Sequence, residues 1–159
     1  MALEVERKFL VTSEDWRADA VSQRRYRQGY LARATSASVR VRSDGENAWL
    51  NIKAAVAGSS REEFEYPVPL ADAQIMLDRL CDAGHVDKTR YWVLYGDHTW
   101  EVDVFEGDNA GLIVAEIELS DAHEPFDRPP WAGTEVTDDV RYYNNYLALH
   151  PYRTWEPDD

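Results

Sequence analysis

The stretch Leu-Glu-Val-Glu-Arg-Lys-Phe-Leu-Val (residues 3–11) alternates charged and apolar side chains with a period of two. Such alternation is typical of a β-strand that has one buried face. It places Glu4, Glu6 and Lys8 on one face and apolar side chains on the other. The stretch therefore predicts an amphipathic strand whose polar face carries charges of both signs.

The same alternation recurs along the chain, and each recurrence predicts a further strand: residues 26–32, 38–43, 48–54, 61–68, 87–94, 99–105 and 111–119. Short connections between these segments favour antiparallel pairing. Helical signals lie between them, over residues 13–21, 71–83, 120–125 and from 137 to 151. The predicted fold class is mainly β (α+β), in a single domain over residues 1–152 with a frayed tail at 153–159.

The polar faces of the predicted strands sort their charges by sign. Pairs at i and i+2 share a face, and they are acidic at Glu4/Glu6, Glu63/Glu65, Glu101/Asp103 and Glu116/Glu118, and basic at Arg40/Arg42 and Lys88/Arg90. Lys8 and Lys53 add two cations in the same alternation. Any one pair is explained by a solvated outer face, but like charges side by side repel. The complete set therefore indicates a ligand that uses both signs.

Carboxylates without histidine or cysteine partners suit a hard divalent cation, so we expect Mg²⁺ or Mn²⁺. Arginine and lysine suit phosphoryl oxygens. A polyphosphate bridged by a metal ion would satisfy both sets of charges. If the sheet closes with this face inward, it forms a polar tunnel, and its apolar faces pack outward against the helices.

Composition narrows the classes of function and partner. The chain has 159 residues, a formal net charge of −13 and a pI near 4.6, which argues against a nucleic-acid partner. No apolar run suggests a membrane span, and the first residues do not resemble a signal peptide. The single Cys81 excludes an intrachain disulfide and suggests the reducing cytoplasm. The oligomeric state, monomer or homodimer, is left open.

The ordered charge set resembles the CYTH superfamily, the triphosphate tunnel metalloenzymes. Glu4-Val5-Glu6-Arg7-Lys8 is similar to the Glu-x-Glu-x-Lys signature of that family. The resemblance continues through residues 27–31, 39–42, 52–53, 62–66, 88–91, 101–105, 115–119 and 135–144. It implies an eight-stranded antiparallel β-barrel that forms a charged tunnel, with helices packed outside.

The resemblance also implies roles for individual residues. It implies triphosphate binding by Lys8, Arg40, Arg42, Lys53, Lys88 and Arg90, and metal binding, directly or through water, by Glu4, Glu6, Glu63, Glu65, Glu101, Asp103, Glu116 and Glu118. Lys8, Tyr30 and Glu6 are the candidate catalytic residues. A pair formed by Lys8 and Tyr30 could order water or relay a proton, although Tyr30 is equally explained as part of the wall.

These roles predict metal-dependent hydrolysis of a small-molecule triphosphate, above all of inorganic tripolyphosphate to pyrophosphate and phosphate. The sequence leaves three alternatives open. The first is a class IV adenylyl cyclase or a thiamine or nucleoside triphosphatase. The second is a non-catalytic module that binds triphosphate or polyphosphate. The third is a barrel whose charges have no ligand.

Overall fold

The computed structural model describes residues 5–54 and 63–155. Its strands are β1 (Val5–Val11), β2 (Ala20–Arg33), β3 (Ala37–Ser43), β4 (Ala48–Ala54), β5 (Glu63–Val68), β6 (His85–Tyr95), β7 (His98–Phe105), β8 (Ile113–Leu119) and β9 (Ala132–Glu135). Its α-helices are α1 (Leu70–Arg79) and α2 (Asn144–Leu149). Single 3₁₀ turns lie at Asp15–Asp19, Gly107–Asn109, Val140–Tyr142 and Tyr152–Thr154.

All nine strands form one antiparallel sheet in the order β5-β4-β3-β2-β6-β7-β8-β1-β9. The predicted class, mainly antiparallel β, is confirmed. The barrel-like fold is also confirmed, and the structure adds two details. A short ninth strand, β9, pairs with β1, and among the described residues no hydrogen-bonded ladder joins the edge strands β5 and β9.

The strand register places the predicted charged positions on one face of the sheet. Residues directly opposite each other in an antiparallel pair share a face. Lys8 lies opposite Glu116, which lies opposite Glu101, and Arg90 lies opposite Asp103. On the other half of the sheet Tyr30 lies opposite Arg40. We call this face the concave face, because residues from distant strands of the sheet line one cavity on it.

The opposite, convex face carries two apolar clusters. One includes Phe9, Trp100 and Ile117, and the 3₁₀ turn at Asp15–Asp19 adds Trp16 to it. The other lies under α1 and includes Val41, Leu77 and Cys81. The expected outward packing of the apolar faces is confirmed over most of the sheet. Burial of these side chains removes apolar surface from water and stabilises the strands in this register.

One end of the concave face is apolar, which differs from the expectation that every helix lies outside. Val86, Phe105 and Val114 share the charged residues' alternation, yet they form a buried cluster with Leu147 and Ala148 of α2. The short helix α2 therefore covers one end of the concave face. Beyond the last charged position, each of these strands places an apolar side chain on the concave face. Contact with α2 removes these apolar side chains from water.

Other predicted boundaries are corrected at the ends of the chain and in its connections. The segment 13–21 forms a 3₁₀ turn and the start of β2, and residues 120–125 form turns without a helix. In the predicted tail, Trp155 packs against Tyr142 and Tyr152, and residues 156–159 lie outside the described residues. In the part of the chain that is described, no helix has the length and apolar character needed to cross a membrane.

Candidate active site

A cavity of about 560 Å³ opens on the concave face. Glu6 of β1, Tyr30 of β2, Arg40 of β3 and Lys53 of β4 all line it. Four strands separate β1 from β3 in the order of the sheet, so these residues can share a cavity only if the sheet curls strongly. The curl gives the tunnel-like interior that the charge pattern predicted.

Like charges lie directly opposite each other on this face. Glu6 faces Glu118, Glu101 faces Glu116, and Arg24 faces Arg90 across neighbouring strands. Such cross-strand pairs are destabilising in a sheet that has no other use for them. Perturbed, closely spaced charged groups of this kind cluster at functional sites.

The interior has two halves of different character. The acidic side comprises the charged residues that β6, β7, β8 and β1 place on the concave face, which are Lys88, Arg90, Glu101, Asp103, Glu116, Glu118, Glu6 and Lys8. The basic side comprises Arg40 and Arg42 of β3 and Asn51 and Lys53 of β4. The two halves differ in the hydrogen bonds that their arginine side chains make to described residues.

Two carboxyl groups, those of Glu6 and Glu116, adjoin each other on the acidic side. A hydrogen bond to Glu116, together with burial and the negative charge of Glu116, raises the pKa of Glu6 to about 8. Burial opposes ionisation of Glu116, but the hydrogen bond from Glu6 and the charge of Lys8 outweigh it and lower the pKa of Glu116. The two pKa shifts have opposite directions, as expected when two adjoining carboxyl groups compete for one proton. A bound cation would take the place of that proton.

Lys8 lies beside this carboxyl pair. Its Nζ donates a hydrogen bond to Glu116 Oε1 over 2.9 Å and lies 5.0 Å from the centre of the Tyr143 ring. No hydrogen bond joins Lys8 to Tyr30 in the parts of the chain that are described, and the cation over the Tyr30 ring is Arg33, at 3.8 Å. The aromatic ring beside Lys8 in this structure is that of Tyr143, and joint action of Lys8 and Tyr30 on bound water stays a prediction.

Asp103 forms the centre of a buried ion network. Lys88 Nζ donates to Asp103 Oδ2 over 2.8 Å, and the Arg90 guanidinium donates to both carboxylate oxygens. Burial opposes ionisation of Asp103, but the charge of Lys88 and the bonds from Arg90 lower its pKa to about 2. Arg90 also contacts Glu101 over 2.8 Å. Asp103 is 1% exposed, so these cations already occupy its ligand-binding oxygens.

The basic side has buried donors that lack partners. The Nε atoms of Arg40 and Arg42 are buried, and neither makes a hydrogen bond to any described residue. The Arg42 guanidinium lies over the rings of Tyr26 and Trp49, at 5.0 and 5.3 Å. Burial, followed by the charge of Arg40, lowers the pKa of Arg42. Buried donors without partners are costly, and an anionic ligand would satisfy them.

The remaining predicted residues lie at the margins of the interior. Glu63 and Glu65 are exposed on the edge strand β5, and the Lys53 ammonium lies 3.9 Å from Glu63. Glu118 is exposed opposite Glu6. Glu4 lies outside the described residues. The structure thus brings Glu6, Glu116 and Lys8 together and leaves Glu63 and Glu65 apart from them in the order of the sheet.

A family model described as the CYTH domain matches residues 2–144 of this chain. The chain belongs to the CYTH family. Two curated relatives named inorganic triphosphatase are each 40% identical to it. The relative from Acetivibrio thermocellus is aligned over 98% of this chain and 99% of its own length, and that from Nitrosomonas europaea over 92% and 97%.

A solved structure of an inorganic triphosphatase has a similar fold. The crystal structure of the inorganic triphosphatase NE1496 superposes on the chain with a TM-score of 0.77 and 34% identity. The match covers 94% of this chain and 96% of that structure. Sequence and fold therefore agree on the same group of relatives.

The CYTH interior also contains residues that the sequence analysis did not select. Arg24 lies opposite Arg90 and pairs with Asp44 over 3.0 Å. Asn51 is buried between Arg40 and Glu65 on neighbouring strands. Both share the alternation of the charged positions. The period of two therefore identifies both residues as part of this face. Neither belongs to a pair of like charges at i and i+2, because Asn51 is neutral and Arg24 is a single cation on this face.

The donor set fits a divalent cation of the magnesium type. Among residues 5–54 and 63–155, no three acidic, histidine or cysteine side chains are arranged to hold a metal ion by themselves. Glu6 lines the cavity, and its carboxyl group adjoins that of Glu116. Mg²⁺ is usually held by one or two carboxylates together with substrate phosphates and water, and this arrangement matches that requirement.

Proposed function

We propose that this protein hydrolyses inorganic tripolyphosphate to pyrophosphate and phosphate with the help of a divalent cation. The buried guanidinium Nε atoms of Arg40 and Arg42, which lack partners, are the observation that carries the proposal. Arg40 lines the same cavity as Glu6, whose carboxyl group adjoins that of Glu116. The names of the relatives that are 40% identical point to the same substrate.

The basic side supplies the phosphate-binding groups in this proposal. Arg40, Arg42 and Lys53 bind phosphoryl oxygens, because guanidinium groups donate two parallel hydrogen bonds to such oxygens. The transition state of phosphoryl transfer spreads negative charge over these oxygens. Donors that are already in place stabilise that charge without reorganisation.

The acidic side supplies the metal site. Glu6 and Glu116 are the proposed ligands of Mg²⁺ or Mn²⁺, and Glu118 lies two residues from Glu116 on β8. Glu4, two residues before Glu6 in the sequence, is a further proposed ligand that lies outside the described residues. A bound divalent cation would neutralise phosphoryl oxygens and lower the pKa of a bound water molecule. Lys8 orients Glu116 through its 2.9 Å hydrogen bond and adds a positive charge near the reacting phosphate.

Lys88 and Arg90 take a different role from the one that the sequence suggested. Both are already bound to Asp103. We therefore assign Lys88, Arg90, Asp103 and Glu101 to the support of the acidic side, where they hold Glu116 in place. In the reaction a water oxygen forms a bond to the terminal phosphorus while the bridging P–O bond breaks, which releases phosphate and pyrophosphate. We place this activity in the cytoplasm.

The decisive experiment measures products from a panel of substrates with Mg²⁺ or Mn²⁺. Tripolyphosphate, ATP, thiamine triphosphate and pyrophosphate are compared, with EDTA as the metal-free control, and phosphate, pyrophosphate and cyclic AMP are all measured. We expect rapid phosphate release from tripolyphosphate, which EDTA abolishes. Cyclic AMP and pyrophosphate from ATP would instead make the protein a cyclase. Binding without turnover of any substrate would make it a binding module.

A pair of variants links the activity to the carboxyl pair. Glu6→Gln keeps the size of the side chain and removes its charge, and we expect it to abolish metal-dependent hydrolysis while the fold is retained. Glu14→Gln changes the same residue type at an exposed position outside the interior, and it should have full activity. Full activity in Glu6→Gln would contradict the proposed metal site.

A further inference from the structure

Asn51 lies at the centre of the basic side, yet no part of the charge pattern accounts for it. It occupies the middle of β4, opposite Arg40 of β3 and Glu65 of β5, so its side chain belongs to the concave face. It is 2% exposed. Its Oδ1 atom is buried and accepts no hydrogen bond from any residue that the structure describes.

The missing hydrogen bond separates Asn51 from an ordinary buried asparagine. Asn109 is also 2% exposed, but its Oδ1 accepts a hydrogen bond from the backbone N–H of Tyr152 over 2.8 Å. That bond fixes the turn near the C-terminus. Buried polar groups are nearly always satisfied in this way, and an exception needs an explanation.

The unsatisfied amide lies next to other unsatisfied groups. Arg40 and Arg42 each contribute a buried Nε–H without a partner, on the strand adjacent to Asn51. A carboxamide has two donors at Nδ2 and an acceptor at Oδ1, and rotation about its last bond exchanges the two ends. One such group can therefore donate to an anion and accept from a guanidinium at the same time.

We infer that Asn51 is a further substrate-binding residue for tripolyphosphate. Its Nδ2 donates to a phosphoryl oxygen, and its Oδ1 accepts from the Arg40 guanidinium once that group has turned to the same anion. A neutral amide suits this place, because a carboxylate would repel both the substrate and the nearby Glu65. This inference rests on the proposed function, since it concerns the same substrate and the same wall.

The test compares two asparagine-to-leucine variants that change the same atoms at equally buried places. Asn51→Leu should raise KM for tripolyphosphate about tenfold or more, with a smaller change in kcat, because a hydrogen bond to a charged oxygen is lost. Its melting temperature should rise by a few degrees, because an unsatisfied amide is replaced by an apolar group. Asn109→Leu should lower the melting temperature and leave KM unchanged.

A conservative variant separates binding from packing. Asn51→Thr keeps a hydrogen-bond donor in a side chain of similar volume, and threonine is favourable in a β-strand. We expect its KM to stay within about threefold of the wild-type value. An unchanged KM in Asn51→Leu, or a KM in Asn51→Thr as high as in Asn51→Leu, would overturn the inference.

The same samples distinguish failure of this inference from failure of the proposed function. If the wild type does not hydrolyse tripolyphosphate but is stabilised by it in a melting experiment, the proposed function fails. Asn51 is then judged by whether the stabilisation shrinks in Asn51→Leu and persists in Asn109→Leu. If tripolyphosphate is neither hydrolysed nor stabilising, both proposals are overturned.

Discussion

The two sides of the concave face carry arginines in opposite states. On the acidic side, Arg90 makes a two-pronged pair with Asp103 and a further contact with Glu101. On the basic side, Arg40 and Arg42 have buried Nε atoms without hydrogen-bond partners. A paired, buried cation contributes to the arrangement of its neighbours, whereas an unpaired one is available to a ligand. Residues of equal charge on the two sides therefore differ in whether they are available to a ligand.

The largest effect should follow from breaking the network on the acidic side. Asp103→Ala would leave Lys88 and Arg90 buried without their shared partner, and removal of one member of a buried ion pair costs about 3–5 kcal/mol. We expect the melting temperature to fall by about 10 °C or more. Thermal unfolding followed by circular dichroism measures this.

The control for Asp103→Ala is Asp78→Ala. Asp78 is exposed and pairs with Arg27 on the surface. Surface pairs of this kind contribute little, so its melting temperature should stay within about 2 °C of the wild type. A stable Asp103→Ala protein would show that the two sides do not differ as described.

The opposite result is expected on the basic side. Arg40→Ala removes a partly buried side chain whose buried Nε has no hydrogen-bond partner among the described residues, so the melting temperature should stay the same or rise. In contrast, kcat/KM for tripolyphosphate should fall about 10²–10³-fold, the usual cost of losing a donor to the transition state. Steady-state phosphate release measures this loss.

Arg25→Ala is the matched control for Arg40→Ala. Arg25 lies on β2 with an exposed side chain that pairs with Glu106 over 3.0 Å. The substitution removes the same charge from the protein outside the interior. Equal losses of activity in the two variants would point to net charge as the cause and would break the comparison.

A smaller effect is expected on the pH dependence of the protein's stability, through the titration of two carboxyl groups on the acidic side. The pKa of Asp103 is lowered to about 2, so it stabilises the fold above pH 3.8, and this contribution is lost as the pH falls toward 2. The pKa of Glu6 is raised from 4.5 to about 8. Its contribution is therefore complete below pH 4.5 and is lost as the pH rises through 8.

Denaturant titrations in EDTA between pH 4.5 and 9 check the prediction for Glu6. The free energy of unfolding of the wild type should decline over this range, and Glu6→Gln should remove the part of the decline that Glu6 causes. The same slope in both proteins would mean that Glu6 and Glu116 do not share a proton in the folded state.

Much of this site could be predicted from alternation alone. A period of two assigns each residue of a strand to a face. It therefore predicts that Glu6, Arg40 and Glu116 lie on the charged faces of their strands, and the structure joins these faces into one. Alternation does not say which residues lie opposite one another. The pairing of Arg90 with Asp103 depends on the register of β6 and β7, which long-range packing sets.

The sequence also shows charge without showing hydrogen-bond partners. For this reason the predicted roles make Lys88 and Arg90 equivalent to Arg40 and Arg42, although Lys88 and Arg90 are bonded to Asp103 in the structure. The position of α2 over the concave face depends on the apolar end of that face, formed by Val86, Phe105 and Val114. Those residues belong to three different strands, and only the folded sheet brings them together.

In the proposed function, the basic side binds the phosphates and the carboxyl pair binds the metal. The most direct test is a crystal structure with tripolyphosphate and Mn²⁺, in which anomalous scattering locates the metal. We predict phosphoryl oxygens within hydrogen-bond distance of Arg40 and Arg42, and Mn²⁺ against Glu6 and Glu116. Phosphates bound instead to Lys88 and Arg90, with Arg40 and Arg42 still unpaired, would contradict the account.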